Sequence, residues 1–598
     1  MTERTVVVGY SGLDGSAEFK RANVPGLTAA EARLFQGLDS AAALVVDDEL
    51  VAAVQQERFS GSKFDHAFPA DAIRSCLDLA GLEPGDVTEV RHNFDYSLAK
   101  LFSQGDPYTR DRFDRVYDPA RQTSLLHRHF PELAGRLDVL PVAHHHAHAL
   151  TAAIPSGFAE ALVVVLDGMG ELHAVTLHEW RGGVLKPLAR LDFRSSLGLF
   201  YALLTLHLGY WPNSDEYKVM ALAASGDPER FASVMREAVV LGEDGRFDIP
   251  LLGRNRDQRS KETFAASRAW LAEQGCPEAA GELAPVHYDL AAAAQHRLEE
   301  ALFHLVGYWT RRTGLRKVAF AGGVALNCVA IGKLAASGLV DGLYVQPAAG
   351  DEGTAVGAAL ASADPHRAAA GYPALTFLGP DVDFDRVPAG QPHFRTEVTE
   401  REAESTAARL LAQGLVVGWA QGRLEFGPRA LGNRSILADP RQRDMRDKVN
   451  AAVKFREDFR PLAPAVKAEA ADRYFEIPAG TNMRHMTVAV PARPAASAIP
   501  AVLHTDGSAR VQAVHAAEHP RFWRVLDEFE RLTGTPVLMN TSLNVKGQPT
   551  ARSASEVYRT FDESRLDVAV IGDQLYAKEW AIGDTLAALA TTRESLPR

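Results

Sequence analysis

The sequence predicts an α/β protein of two unequal domains, and three observations carry that reading. First, short apolar runs end in loops rich in glycine and aspartate. Thr5-Val-Val-Val-Gly9 runs into Tyr10-Ser-Gly-Leu-Asp-Gly15, Ala161–Leu166 into Asp167-Gly-Met-Gly170, and Val318–Ala321 into Gly322-Gly323. Buried strands that finish in such loops are typical of sheets layered with helices, where ligands sit at strand ends. Second, around residues 362–395 the composition shifts toward Pro, Gly and polar residues, from Asp364-Pro-His366 to Gly390-Gln-Pro392. That shift marks a linker and divides the chain into domains 1–375 and 376–598. Third, a glycine-spaced basic stretch, Gln421 to Ser435, opens the second domain of an otherwise acidic chain.

The elements follow in order. Thr5–Gly9 is a strand; Ser40–Val46 and Leu50–Val54 are two more around the acidic turn Asp47-Asp48-Glu49, and Asp71–Ala80 is a helix behind Pro69. Ala161–Leu166 and Glu171–Leu177 flank the Asp-Gly-Met-Gly loop, a unit able to wrap backbone amides around phosphate. Helices dominate Leu197 to Arg312, and the run Val318–Asn327 reads as strand, Gly-Gly turn and helix start. A helix N-terminus reached through two glycines suits an anionic ligand. Gly350-Asp-Glu-Gly353 repeats the device, and Leu415–Trp419 is the first strand after the basic domain begins.

Bulk properties exclude several classes. At 598 residues the chain exceeds one core. A net charge of −12 argues against an overall nucleic-acid footprint, and no apolar run is long enough to span a bilayer. The cysteines, Cys76, Cys276 and Cys328, have no paired spacing, and the start of the chain lacks signal-peptide architecture. A soluble cytoplasmic protein without nucleic-acid or membrane partners is expected.

Two clusters carry chemistry. In His144-His-His-Ala-His148, the outer histidines lie one helical turn apart and can share one metal ion. Asp167, at the end of its strand, supplies a carboxylate, and two imidazoles with carboxylate oxygen form a recognised divalent set. In the second domain, Arg423, Arg429 and Arg434 are separated by glycines, so that guanidinium and backbone donors could converge on an oxyanion. Lys454, Arg456, Arg460 and Arg510 follow, and Asn540-Thr-Ser542 offers small polar side chains suited to phosphate oxygens.

These motifs, in this order, resemble the NodU/CmcH family of O-carbamoyltransferases over nearly the whole chain. The resemblance rests on Gln56-Glu-Arg-Phe-Ser60 with Lys63, His144–Ala149, Leu166-Asp-Gly168, Ser196–Tyr201, Asp215–Leu222, Ala321–Asn327, Gly350–Gly353, Glu425–Gly432, Phe459-Arg-Pro461 and Leu538–Ser542. It implies an actin/sugar-kinase-like (ASKHA) ATP-binding domain followed by a YrdC-like α/β domain. It implies a divalent metal, Fe2+ foremost, on His144, His148, Asp167 and Asp351, with Mg2+ accompanying ATP. Gly168, Gly198, Lys218, Gly322, Gly323 and Asn327 would line the adenylate site. Arg429, Arg434, Lys454, Arg460, Arg510, Asn540, Thr541 and Ser542 would hold carbamoyl phosphate. The implied reaction makes carbamoyl adenylate and passes the carbamoyl group to a hydroxyl of a secondary metabolite, with Asp39, Lys63, Arg429 and Lys454 as catalytic candidates. One departure stands out: relatives carry His-Asp where this chain has Leu38-Asp39. The general base is left open among Asp39, Lys63, His66, His145 and His146. The rival readings are a phosphotransferase of the same nucleotide fold, a tRNA-modifying fusion of the two domains, against which the acidic balance counts, and a non-catalytic ATP- and metal-binding regulator.

Overall fold

A computed structural model describes residues 4–97, 106–366, 376–383, 387, 393–454 and 462–596. The chain forms two compact units. One comprises Met1–Glu57, Phe64–Tyr372 and Ala479–Thr481; the other comprises Arg58–Lys63, Pro373–Pro478 and Asn482–Arg598.

The first unit holds the same sheet twice. Strands β1 (Val6–Ser11), β2 (Ala41–Val46) and β3 (Glu49–Gln55) run antiparallel, and β4 (Glu89–His92) and β5 (Val139–Pro141) join β1 in parallel, giving the order 3-2-1-4-5. Strands β6 (Glu160–Leu166), β7 (His173–Arg181) and β8 (Val184–Asp192) repeat the antiparallel meander. After a short hairpin of β9 (Val240–Leu241) and β10 (Phe247–Asp248), strands β11 (Lys317–Ala321) and β12 (Gly342–Val345) add in parallel beside β6. This doubled α/β sheet is the arrangement expected of an actin- and sugar-kinase-like domain. The reason is visible in composition. β1, β2 and the residues of β6 after Glu160 are wholly buried and dominated by Val, Ala and Leu, apart from Gly9, Tyr10 and Ser11 at the end of β1, the pattern of strands covered on both faces.

Each half ends in a helix that packs on the other half's sheet. His144–Ala153 follows β5 but lies against β6 and β11, whereas Thr354–Leu360 follows β12 but lies against β1 and β2. Small residues allow the two helices to touch. A Cβ on Gly357 would stand 2.0 Å from Ala147 O, and one on Gly9 2.2 Å from Ala355 O.

The second unit is built on an eight-stranded sheet ordered 13-22-21-14-15-20-16-19. Its strands are β13 (Phe394–Glu397), β14 (Val417–Ala420), β15 (Arg434–Ala438) and β16 (Ala463–Lys467). A side hairpin of β17 (Ala489–Pro491) and β18 (Ser508–Arg510) precedes β19 (Gln512–Val514), β20 (Val537–Ser542), β21 (Val568–Ile571) and β22 (Gln574–Ala577). The helices Glu400–Ala412, Pro520–Thr533 and Ile582–Ser595 contribute to one core with it. Pro520–Thr533 shows why: Phe522, Val525, Leu526 and Phe529 recur at helical spacing and are buried, and Gly534 in the left-handed region ends the helix. Among the described residues no helix is long and apolar enough to cross a membrane.

Gly357→Ala tests the helix exchange. The added methyl meets backbone rather than a movable side chain, so a loss of about 2 kcal/mol is expected, read as a lowered midpoint in thermal or urea unfolding.

A candidate metal centre and a candidate anion site

The helix His144–Ala153 is short and rich in alanine, and two of its histidines turn inward. His144 and His148 are both 0 % exposed. Facing them are Asp167, one residue beyond β6, and Asp351, in the turn before Thr354–Leu360. His144 Nε2 lies 3.3 Å from Asp351 Oδ1 and 3.5 Å from Asp167 Oδ2, and His148 Nε2 lies 3.5 Å from Asp351 Oδ1. One ligand atom from each of the four falls within 4.8 Å of the others. Donors held about 2.1 Å from a common ion stand roughly 3.0–3.4 Å from their neighbours, so this spacing suits an ion. Both Nε2 atoms are buried and face the two carboxylates, with no bond of ordinary hydrogen-bond geometry among the described residues, and a cation between them would satisfy all four groups. The donor set fits a divalent metal without selecting among Fe2+, Zn2+ and Mn2+.

Residues behind the cluster fix its geometry. His144 Nδ1 is 3.3 Å from Asn93 O, which sets the ring so that Nε2 faces the carboxylates. Asn93 Nδ2 donates to Thr354 Oγ1 at 2.7 Å, and Thr354 Oγ1 donates to Asp351 O. Phe94 stacks on His144 at 4.3 Å. Glu171 Oε1 accepts from the N–H groups of His144 and Asp95 at 2.9 and 2.7 Å, satisfying the first turn of the histidine helix. Asn93 and Glu171 carry no motif and take no role from the sequence; Phe94, which the sequence offers only as part of a segment shaping the acceptor pocket, stacks on a candidate ligand.

Charge follows from this packing. Burial alone would push His144 down, but the Asp351 and Asp167 carboxylates hold its pKa well above the ordinary histidine value. Burial would raise both aspartates, yet the histidines hold them low: His144 bonds and charge at Asp351, and a His144 bond with His148 charge at Asp167.

Asp167 also reaches the Gly-Gly turn. Its Oδ1 accepts from Gly323 N at 2.9 Å. Gly322 has φ +94° and a Cβ there would stand 2.2 Å from Leu166 O, so only glycine fits. Gly198 opens the helix Leu197–His207 against the same place, where an added Cβ would lie 2.7 Å from Gly168 Cα. Ser196 Oγ caps that helix at Leu199 N and donates to Gly168 O. The structure thus brings Gly168, Gly198, Gly322 and Gly323 together beside Asp167, with a helix N-terminus facing them. Lys218 Nζ donates to Asp215 Oδ2 at 3.0 Å and lies over the Tyr210 ring. Asn327 has another role: its amide pairs reciprocally with Gln295 and its Oδ1 caps Ala330 N, so both polar ends are engaged within the protein.

Leu38 is a buried apolar side chain. Asp39 beside it is half-buried at φ +58°. Burial, then the Glu352, Glu57 and Asp351 carboxylates, raise its proton affinity well above that of an ordinary aspartate, with Arg33 opposing. Lys63 is exposed and groups with the second unit.

In the second unit, one carboxylate shapes the basic loop. Glu425 Oε1 accepts from Leu431 N, Asn433 N and Arg434 N at 2.9, 2.8 and 3.1 Å. Arg434 is fully buried, and its guanidinium donates to the backbone carbonyls of Gln421, Gly422, Asn433 and Arg552. Burial lowers its pKa to about 10, which leaves it charged at neutral pH. It braces the loop where sequence reasoning gave it a phosphate. Arg429 and Arg510 are half-buried, as are Thr541 and Ser542 on β20. Ser542 Oγ donates to Asn544 Oδ1 at 2.6 Å. Asn540 donates inward to Ala430 O and Gln512 Oε1. Arg460 lies outside the described residues, and only the backbone of Lys454 is described.

A family model of the carbamoyltransferase N-terminus matches residues 35–360, and one of the carbamoyltransferase C-terminus matches residues 408–578. The chain belongs to the carbamoyltransferase family. Nodulation protein NolNO of Sinorhizobium fredii is 35% identical over 568 residues, covering 92% of this chain and 81% of that protein. Nodulation protein NolO of Bradyrhizobium diazoefficiens is 37% identical over 464 residues, covering 75% of this chain and 81% of its own. Among solved structures, component A of the Acidaminococcus fermentans (R)-2-hydroxyglutaryl-CoA dehydratase aligns at 16% identity with a TM-score of 0.31, covering 61% of this chain and 99% of that one. HypF of T. kodakarensis aligns at 14% identity with a TM-score of 0.29, covering 61% of this chain and 48% of that one.

Three outcomes test the sites of this carbamoyltransferase. His148→Ala and Asp351→Asn should each abolish retention of a stoichiometric divalent metal through dialysis, measured by elemental analysis. Because only neutral imidazole ligates and His144 holds its proton to high pH without metal, binding should release a proton and weaken about tenfold per pH unit on the acid side. Calorimetry in buffers of differing ionisation enthalpy reads that release. Arg434→Lys, which keeps the charge but loses the fork, should cost about 3 kcal/mol in unfolding.

Proposed function

We propose that this carbamoyltransferase is ATP-dependent and works through carbamoyl adenylate. The observation that carries the reading is the double use of Asp167: one oxygen faces the histidine cluster while the other accepts from Gly323 N in the glycine turn. A nucleotide phosphate cradled by that turn would lie beside the metal ligands, an arrangement suited to chemistry at an adenylate rather than to simple storage of an ion.

Carbamoyl phosphate binds at the second unit, with Arg429 and Arg510 neutralising its phosphate, Lys454 and Arg460 completing the cationic set, and Thr541 and Ser542 offering hydroxyls. Water displaces phosphate to leave carbamate. A carbamate oxygen attacks the α-phosphorus of ATP and pyrophosphate departs, giving carbamoyl adenylate. Arginines suit this step because they stabilise charge developing on phosphoryl oxygens. Carbamate decomposes in water, which favours an enclosed site.

At the first unit, Gly168, Gly198, Gly322 and Gly323 present backbone to the adenylate, with Lys218 nearby in sequence as a further cation and Asn327 bracing the helix behind. The acceptor hydroxyl, on a secondary metabolite, attacks the carbamoyl carbon and AMP leaves. Asp39 is the base we assign to that hydroxyl: Leu38 has no proton acceptor, and burial, then the neighbouring Glu352, Glu57 and Asp351 carboxylates, raise the proton affinity of Asp39. A divalent ion held by His144, His148, Asp167 and Asp351, with Fe2+ the first choice, would supply Lewis acidity.

Purified protein with ATP, carbamoyl phosphate, divalent metal and hydroxylated natural products should form AMP and pyrophosphate only when carbamoyl phosphate is present. The acceptor should gain one carbamoyl group by mass spectrometry. ADP formed without carbamoyl phosphate would instead indicate a phosphotransferase, and absence of turnover with every acceptor would favour a regulator.

A further inference from the structure

Three segments of the first unit are stitched together around one arginine. Ser40 N donates to Asp65 O at 2.7 Å and Ser40 Oγ to Ala67 O at 2.6 Å, which joins the residue after Asp39 to the residues after Phe64. Asn213 Nδ2 donates to Arg33 O at 2.9 Å, which ties the turn Trp211-Pro212-Asn213 to the stretch just ahead of Leu38-Asp39. The Arg33 side chain lies inside this stitch. Its Cζ stands over two rings, 5.4 Å from the centre of Phe64 and 5.3 Å from that of Trp211. The backbone is bent to make the arrangement: Asp39, Phe64 and Asn213 have φ of +58°, +56° and +60°. A bulky side chain such as Phe64 is unfavourable in the left-handed region, and residues held there gather at ligand sites.

Arg434 spends its donors on carbonyls of its own loop. Arg33 does not. Its Nε is buried without a partner, and its guanidinium makes no hydrogen bond among the described residues. Burial lowers its pKa, and the Asp39, Asp215 and Glu216 carboxylates oppose that shift, so all three lie within electrostatic reach. The place is also open. Trp211 is 49 % exposed, and Arg33, Asp39, Phe64 and Asn213 are half-buried. One open surface therefore presents an aromatic face, the donors of an arginine and several carboxylate acceptors.

That combination selects a ligand. An anion would meet the carboxylates, a cation would meet the guanidinium, and an apolar ring would leave both unpaired. A hydroxyl accepts and donates at once, so adjacent hydroxyls can take N–H from the arginine and give O–H to a carboxylate. The C–H face of the ring that carries them can then lie on an aromatic surface. We propose that Arg33 and Trp211 form the acceptor subsite, and that it takes a neutral sugar ring, with adjacent hydroxyls at Arg33 and one ring face on Trp211. This rests on the reading above that Asp39 serves the acceptor hydroxyl. Asp215 connects the subsite to a residue assigned to the adenylate: its Oδ2 accepts from Trp211 N at 3.2 Å and from Lys218 Nζ at 3.0 Å.

Saturation-transfer NMR on the full metal-loaded chain, without carbamoyl phosphate, reads binding apart from transfer. The probes are the methyl glycosides of glucose, galactose, mannose and rhamnose, with methyl glucosaminide as the cationic control and cyclohexanol as the apolar one. At least one neutral glycoside should bind about tenfold more tightly than either control, with saturation strongest on the C–H protons of one ring face. Trp211→Ala and Arg33→Gln should each weaken that binding about tenfold, and Trp211→Phe, which restores an aromatic face, should recover most of it. All three variants should retain divalent metal through dialysis as the wild type does, which a general loss of fold would not allow. Absence of a preference for any glycoside over the controls, or glycoside binding unchanged in both Trp211→Ala and Arg33→Gln, overturns the inference and leaves the transfer reading standing. In a separate assay, AMP formation indifferent to carbamoyl phosphate overturns the transfer reading instead.

Discussion

Two negative and two basic side chains have been taken out of water at one point, and most of the first unit is arranged to make that tolerable. Burying a carboxylate or an imidazolium alone is costly; burying His144 between Asp351 and Asp167 makes each the other's counter-charge. The supports lie outside the cluster. Asn93 and Phe94 fix the His144 ring, Thr354 ties Asp351 to Asn93, and Glu171 receives the first N–H of the histidine helix. Each would be an ordinary polar contact elsewhere. Here they keep Nε2 atoms pointed at carboxylates, and that orientation makes the place a ligand set.

The location follows from topology. In sheets with parallel central strands, ligands gather beyond the carboxyl ends of those strands, where the helices leave room. Asp167 lies past the end of β6 and Gly322 past the end of β11, and these are paired parallel neighbours. The carboxylate and the glycine turn therefore meet with no special contrivance, through Asp167 Oδ1 and Gly323 N. The same rule applied to the second unit is less informative, because antiparallel pairs dominate the middle of its sheet and a loop braced by Glu425 and Arg434 does the shaping.

Strands β1, β2, β6 and β11 were legible because burial on both faces leaves continuous apolar runs, and Asp167 was legible because it follows one; the short β4, β5 and β12 were not read. That His144 and His148 share one face of a helix was legible from their spacing. The strand β8, Val184–Asp192, was not, since it is exposed along much of its length and carries Lys186, Pro187 and Arg190 among its apolar residues. Nor was the exchange of helices: Thr354–Leu360 is small and apolar on every side, so no stripe reveals which sheet it covers. Three side chains named from the sequence as ligand groups have partners within the protein. Arg434, Asn327 and Asn540 have the right groups for a ligand, but packing decides whether those groups are already spent, and in all three the protein has used the donors itself.

The helix exchange makes the ligand set a latch. His144, His148 and Asp167 ride with the second sheet of the first unit, through the helix on β6 and β11 and through β6 itself. Asp351 rides with the first sheet, at the head of the helix laid on β1 and β2. Two lobes of one duplicated design are thus pinned where their crossed helices begin. Parting the lobes would pull Asp351 away from the histidines, so the four side chains can stay together only while the two sheets keep their places.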